Sequence, residues 1–329
     1  MKVLVAGGAG FIGSHLCARL LREGHTVICV DNLLTGAERN IAPLQASGAD
    51  AHFTFLRRDI TDALDGLREL DDVDAIFQMA SPASPIGYWN HPFETIRVNT
   101  IGTTNLLELA RKHGARLLTA STSEAYGDPL VHPQREDYFG NVNPIGPRAC
   151  YDESKRLGET ITMEYVRRFH VDARIVRIFN TYGPNSQLND GRMIPNFITQ
   201  ALSHQPLTVH GDGSQTRSIC YVDDLVDGLM RALFTEHTTG QVYNLGNPEE
   251  QTIREWAQRI IRLCGSSSEL TFEPKREDDP ERRRPNIEKA RSQLGWEPRV
   301  TPEDGLNRTI AWFRAEMERE GVCLPARAR

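Results

Sequence analysis

Short β-rich apolar stretches alternate through the first half of the chain with longer segments whose apolar positions recur at helical spacing. Lys2–Ala6, His25–Asp31, Phe53–Arg57, Ala75–Gln78, Arg116–Ser121 and Ala173–Ile178 predict strands. Ile12–Glu23, Thr100–His113 and Tyr151–Phe169 predict helices. Strands alternating with helices imply a parallel sheet covered on both faces and joined by right-handed crossovers. The expected fold is α/β, a Rossmann-like doubly wound parallel sheet.

After about Thr181 the rhythm loosens, and loops rich in Asn, Asp, Gly and Pro separate shorter elements. Asn185–Arg192 and His210–Arg217 are two such loops, and Asp278–Pro285 is a charged one. Pro302–Glu318 predicts a helix with Leu306, Ile310 and Phe313 on one face, and Arg327–Arg329 a frayed end. The pattern predicts a smaller, partly interleaved C-terminal domain over 181–216 and 248–329. The larger domain would take 1–180 and about 217–247.

Composition narrows the function classes. The chain has 329 residues, enough for a full core, with 39% hydrophobic and 25% charged residues. Thirty-eight Lys and Arg against 44 Asp and Glu leave a net charge of −6, which argues against nucleic acid as a partner. The six cysteines form no CxxC pair and no zinc-like cluster with histidine, so no metal site is expected. Their number and apolar settings fit reduced thiols in a cytoplasmic protein. The first residues go straight into a strand rather than a signal peptide, and no apolar run is long enough to cross a membrane.

Gly7-Gly8-Ala9-Gly10-Phe11-Ile12-Gly13 lies between the first strand and the first helix. Glycines at 7, 10 and 13 permit a tight turn, close approach of backbone to pyrophosphate, and close helix–strand packing. The helix N-terminus then offers unpaired N–H groups to the phosphates. Asp31 ends the second strand, where a carboxylate binds the adenosine ribose hydroxyls and repels a 2′-phosphate, favouring NAD over NADP. Asp59-Ile60 follows the third strand and is either an adenine-side contact or an ordinary loop pair.

Tyr151 and Lys155 are four residues apart in a helical run and share a face. The lysine charge lowers the tyrosine pKa, and the phenolate can take a hydroxyl proton as hydride leaves carbon. Thr122, Ser123 and Glu124 close the strand beginning at Arg116, where ligands of such sheets bind. Thr122 can hydrogen-bond the reacting hydroxyl.

These features together resemble the extended short-chain dehydrogenase/reductases, and among them the UDP-glucuronate decarboxylases (UDP-xylose synthases). The likeness rests on GGAGFIG, on Ser121–Pro129, Asn141–Tyr151 and Tyr151-Asp152-Glu153-Ser154-Lys155, and on Arg177–Pro184. It continues through Ala80–Pro85, Asn189–Arg192, Gly213–Arg217 and Asn244–Glu250, covering nearly the whole chain. The resemblance implies tightly bound NAD, a UDP-sugar substrate and a homodimer paired through Thr100–His113 and Tyr151–Phe169. It implies that Tyr151 is the base, Lys155 its partner and Thr122 a support, with Ser123 in the same cleft and Glu124 and Arg283 serving decarboxylation.

Further cofactor contacts implied are Phe11, Ile12, Asn32, Asp59, Ile60, Ala80 and Asn99. Substrate contacts implied are Ser84, Tyr88, Asn180, Arg192, Val209 and Arg217. Leu207–Val209 would stack on uracil, and Arg192 would touch substrate or organise its loop. Without the resemblance, Arg282–Arg284 reads as a solvated charge run.

One stretch departs from the family. After Gly183-Pro184 the family continues with an arginine and a bulky apolar residue, where this chain has Asn185-Ser186-Gln187. Loss of that cation would let some UDP-4-keto-pentose escape. The nearest rival activity is a UDP-sugar or UDP-uronate 4-epimerase, against which Glu124 and Arg283 argue. A 4,6-dehydratase would carry an acid where Ser123 stands, and a non-catalytic NAD-sensing relative would lack Tyr151 or Lys155.

Overall fold

A computed structural model of the chain describes residues 1–46, 52–275 and 282–325. Its centre is a seven-stranded, all-parallel sheet: β1 (Lys2–Ala6), β2 (Thr26–Asp31), β3 (Phe53–Arg57), β4 (Ala75–Gln78), β5 (Arg116–Thr122), β6 (Ala173–Ile178) and β11 (Val242–Leu245). The spatial order is β11-β6-β5-β4-β1-β2-β3, so the chain reverses direction across the sheet between β1 and β4. This is the doubly wound Rossmann-like order expected from the sequence.

Smaller sheets flank it at the end where the site forms. The short strands β7 (Thr181–Tyr182) and β10 (Cys220–Tyr221) pair in parallel, as do β8 (Leu207–His210) and β13 (Leu270–Glu273). β9 (Thr216–Ser218) lies between β12 (Glu250–Thr252) and β14 (Arg282–Arg283). The helices in chain order are α1 (Phe11–Arg22), α2 (Ala42–Ala46), α3 (Pro85–Asn90), α4 (Pro92–Arg97), α5 (Thr103–His113), α6 (Ala149–Phe169), α7 (Met193–Leu202), α8 (Val222–Phe234), α9 (Ile253–Cys264), α10 (Glu288–Leu294) and α11 (Pro302–Arg319).

Strand alternation divides the core between the two faces of the sheet. Val3 and Val5 of β1, with Val27 and Cys29 of β2, face one side with Leu16 and Leu229. Leu4 and Ala6, with Ile28 and Val30, face the other with Leu106 and Leu107 of α5. Phe197, Trp256, Ile260, Leu306, Ile310 and Phe313 belong to the first cluster, so the C-terminal helices share a core with the α1 and α8 side. Local signals set helix ends: Thr252 and Glu255 form a capping box on α9, Thr301 caps α11 ahead of Pro302, and Gly114 ends α5 with φ +65°.

Three expectations need correction. The helix predicted from Thr100 begins as a π-turn over Val98–Gly102 before α5. Gly158 of α6 packs there, where a Cβ would lie 2.9 Å from the Asn99 carbonyl, so the two helices approach by their backbones. The loop predicted over His210–Arg217 ends inside β9. The charged loop Asp278–Pro285 contains β14, whose Arg282 and Arg283 pair with Thr216 and Arg217. Residues 278–281 of that loop, and Arg327–Arg329, lie outside the described residues.

Phe313 is completely buried beneath α11. Phe313→Ala should cost about 3–5 kcal/mol, the usual penalty for emptying an aromatic site in a core. Urea unfolding checks this, and a loss below about 1 kcal/mol would mean that α11 docks without that ring.

Candidate active site

A cleft of about 820 Å³ opens at the carboxyl ends of the central strands. Gly7 follows β1 with φ +78°, and a Cβ on it would lie 2.7 Å from the Ala80 backbone beyond β4. At Gly13 a Cβ would collide with the Gly7 carbonyl. Only glycine lets the three segments meet at the point where strand order reverses. Gly10 starts α1 with no side-chain cap, leaving first-turn N–H groups for an anion. Gly7, Gly10, Phe11, Ile12 and Gly13 all line the cleft.

Asp31 accepts hydrogen bonds from the N–H groups of Ala9 at 3.0 Å and Leu33 at 2.8 Å. Burial pushes its carboxyl up against the pull of those N–H groups. A carboxylate fixed this way keeps lone pairs for ribose hydroxyls and repels a 2′-phosphate. Asn32 donates to Asp59 at 2.8 Å, and both line the cleft with Ile60 and Ala80. The glycine cradle, the open helix start and this carboxylate fit NAD.

At the reacting end, β5 delivers Thr122, Ser123 and Glu124, while the first turns of α6 deliver Tyr151 and Lys155. Burial raises the Tyr151 phenol, and its hydrogen bond with Thr122 only partly opposes this. The expected lowering of Tyr151 by Lys155 is therefore not found, because burial dominates the phenol. Lys155 donates to the Ala120 carbonyl at 2.7 Å, and burial lowers its ammonium to about 7 against the nearby charge of Glu159. Tyr88 stacks on Tyr151, with ring centres 5.2 Å apart.

The third region is a cluster of buried charge. Arg283 clasps Glu124 through both guanidinium nitrogens, one of them at 2.8 Å. Arg148 bonds the same carboxylate at 2.5 Å. Burial pushes Glu124 up, but the charges of Arg148 and Arg283 outweigh it and hold the carboxyl at about 2. Arg283 is 4% exposed, which removes the solvated-run reading of Arg282–Arg284 at this position. Arg217 pairs in register with Arg283 and also lines the cleft.

Ser84 caps α3, accepting from the Gly87 N–H at 3.1 Å, and lines the cleft with Tyr88 and Asn180. Arg192 lines it too; its Nε donates to the buried Asp190 at 2.7 Å. Three expected residues, Asn99, Leu207 and Val209, do not line the cleft. Asn99 sits beneath it in the π-turn and donates to Ser154 at 2.9 Å. Val209 points into the core, because alternation along β8 buries Leu207 and Val209 and leaves the half-buried Thr208 and His210 on the cleft wall. Arg148 and Asp152 were missed, although they are four apart beside Tyr151, a spacing that puts them on one helix face.

Fold and site together define a nucleotide-cofactor enzyme built for proton and hydride transfer next to a bound carboxylate. The chain belongs to the NAD dependent epimerase/dehydratase family, whose model matches residues 3–246. UDP-glucuronic acid decarboxylase 1 of Danio rerio is 51% identical over 97% of this chain and 74% of its own length. UDP-glucuronic acid decarboxylase 5 of Arabidopsis thaliana is 50% identical over 93% of this chain and 87% of its own. Among solved structures, the UDP-glucuronic acid 4-epimerase of Bacillus cereus, complexed with UDP-glucuronic acid and NAD, matches with a TM-score of 0.85. That likeness is at 31% identity and covers 96% of this chain and all of that one.

Because burial favours the neutral amine, Lys155 should be charged below pH 7 and neutral above it in the cofactor-free protein. NMR of ε-carbon-labelled lysine should show one midpoint near 7, where ordinary lysines titrate near 10.5. A midpoint above about 9 for Lys155 would show that burial does not control this group.

Proposed function

We propose that this protein is an NAD-dependent UDP-glucuronic acid decarboxylase that makes UDP-xylose through a UDP-4-keto sugar. The observation that carries the reading is the clasp of Arg283 and Arg148 on Glu124, beside Tyr151. A site with one buried and one partly buried arginine and an exchangeable carboxylate can seat the C6 carboxylate of a uronic acid. The curated decarboxylases at about half identity support the substrate.

The chain's own groups divide the chemistry. NAD held by the Gly7–Gly13 turn and Asp31 would supply a reversible acceptor for the C4 hydride. Tyr151 takes the C4 hydroxyl proton and later gives it back, with Thr122 supporting the oxygen and Lys155 positioning the ribose side. The resulting C4 carbonyl is β to the carboxylate, so it receives the electron pair of the breaking C5–C6 bond. Arg283 and Arg148 hold the carboxylate, and Glu124, displaced from them, moves a proton at C5. The described parts of 181–216 and 248–325 supply most of the nucleotide-sugar side, with Arg192 toward sugar and phosphates and Thr208 and His210 nearest to where uracil would lie; Asn180 and Arg217, at the domain boundary, add to the sugar and phosphate contacts.

The loop after Pro184 bears on the product. Asn185 has φ +65° and donates to Ser14 of α1 at 3.1 Å, and Gln187 donates to the Thr35 carbonyl at 2.9 Å. It ties the substrate side to the cofactor loops with neutral amides instead of a cation. Some 4-keto-pentose therefore escapes, leaving reduced cofactor behind.

NMR of the sugar during incubation with UDP-glucuronic acid tests both points. UDP-xylose with a minor 4-keto-pentose and matching NADH is expected. Glu124→Gln and Arg283→Ala should each lower kcat by about 100-fold or more. Formation of UDP-galacturonic acid without loss of carbon dioxide would instead make it a 4-epimerase. UDP-xylose with no NADH build-up would sink the role given to the loop.

We also infer a homodimer. Phe93, Ile96 and Ile101 around the π-turn and Leu157 of α6 are exposed apolar residues on neighbouring helices. Light scattering should report a dimer and Leu157→Glu a monomer; a monomeric parent chain would exclude the pairing. The six cysteines are all free, which fits a reducing, cytoplasmic setting.

A further inference from the structure

Decarboxylation consumes a proton that neither the substrate nor the C4 chemistry supplies. The C5–C6 bond breaks, carbon dioxide leaves, and the electron pair passes to the C4 oxygen. When that pair returns to carbon, it forms a C5–H bond with one proton. The proton held by Tyr151 is committed to the C4 oxygen, which recovers it as hydride returns. One further proton must enter for each carboxylate that leaves.

The buried charge cluster has a place for it. Behind Arg148, Asp152 Oδ2 lies 3.8 Å from Arg148 Nε. Asp152 is 6% exposed, and its Oδ1 has no hydrogen-bond partner. Facing it are Glu124 beyond β5, Arg283 of β14, Tyr88 of α3, and Arg148, Cys150 and Glu153 around the start of α6. Burial and the charge of Glu124 push the Asp152 carboxyl up to about 7, while Glu124 itself is held near 2. Paired groups driven apart in this way mark a proton's place of residence.

Charge counting gives the trigger. Arg148 and Arg283, with Arg217 beyond them, face the two carboxyl groups of Glu124 and Asp152. A substrate carboxylate adds a third negative charge to a low-dielectric cluster, where neighbouring carboxylates do not all stay ionised. We propose that Asp152, coupled to Glu124, is the proton store of the decarboxylation. The pair takes up one proton when the substrate carboxylate docks and releases one when that carboxylate departs as carbon dioxide. Asp152 does not line the cleft, so it acts through Glu124 and is a positioning residue. The inference rests on the decarboxylase reading and adds to it the origin of the C5 proton.

Calorimetry of the NAD-loaded Tyr151→Phe variant, which cannot begin C4 oxidation, tests the store. Binding of UDP-glucuronic acid at pH 8 is measured in phosphate and in Tris, whose ionisation heats differ. The expected result is about one proton taken up per site, and none with UDP-xylose, which has no carboxylate. Adding Asp152→Asn should abolish the uptake while keeping affinity for UDP-xylose within about threefold, which reports an intact fold.

In the otherwise native enzyme, Asp152→Asn should lower kcat by about 10- to 100-fold and remove the alkaline limb of its pH profile. Asp152→Glu should restore that limb, which a purely structural role would not do. Buffer-independent binding heat, or uptake that survives Asp152→Asn, overturns the store even if UDP-xylose is still produced. Failure of the native enzyme to decarboxylate UDP-glucuronic acid overturns the functional reading itself, and the store with it.

Discussion

The site depends on closing one buried cluster of charge. Two guanidinium groups and two carboxylates taken out of water cost several kcal/mol each unless every one finds its partner. Arg283 arrives on β14, 159 residues after Glu124 in the chain, and its two bonds to that carboxylate join the C-terminal segment to the end of β5. The register of β14 on β9 sets Arg283 beside Arg217, and β12 closes the other edge of β9. A shift of one residue along β14 would turn Arg283 to the opposite face and leave Glu124 with Arg148 but without the bidentate partner. The same contacts that hold the two parts of the chain together therefore also shape the charged end of the cleft.

Much of this was legible in the sequence wherever the constraint is local. The glycines at 7, 10 and 13, the carboxylate ending β2, and the Tyr–Lys spacing on α6 each follow from backbone sterics or helical period. Their neighbours along the chain are enough to place them. Thr122 and Glu124 were readable because they end a strand, and ligands collect at strand ends in this architecture.

What could not be read depends on pairing across long separations. Arg282–Arg284 reads as solvated charge until β14 is seen beside β9. Val209 was expected at the ligand from the family resemblance, but the alternation of β8 sends Leu207 and Val209 to the core and Thr208 and His210 to the cleft. The π-turn at Val98–Gly102 has no mark in the apolar pattern, since it answers to the close backbone approach of Gly158 on another helix. Asp152 passed as part of a motif around Tyr151, and its isolation shows only when the burial of its Oδ1 is known.

The first turns of α6 explain why the two halves of the chemistry lie side by side without merging. Tyr151 and Lys155 lie on one stripe, and Arg148, at the helix cap, and Asp152 on the next, each pair four residues apart. The two pairs are offset by three residues, about 60° around the axis, so they occupy adjoining stripes of one rigid rod. Under the proposed reading the first pair serves the C4 oxygen and the ribose side, and the second serves Glu124 and the substrate carboxylate. A single proton carrier serving both ends would have to give up the C4 proton before hydride returns, and the cycle would stall at the ketone. In the proposed mechanism, carriers on adjoining stripes would let each proton return to its own atom while one helix keeps the distance between them fixed.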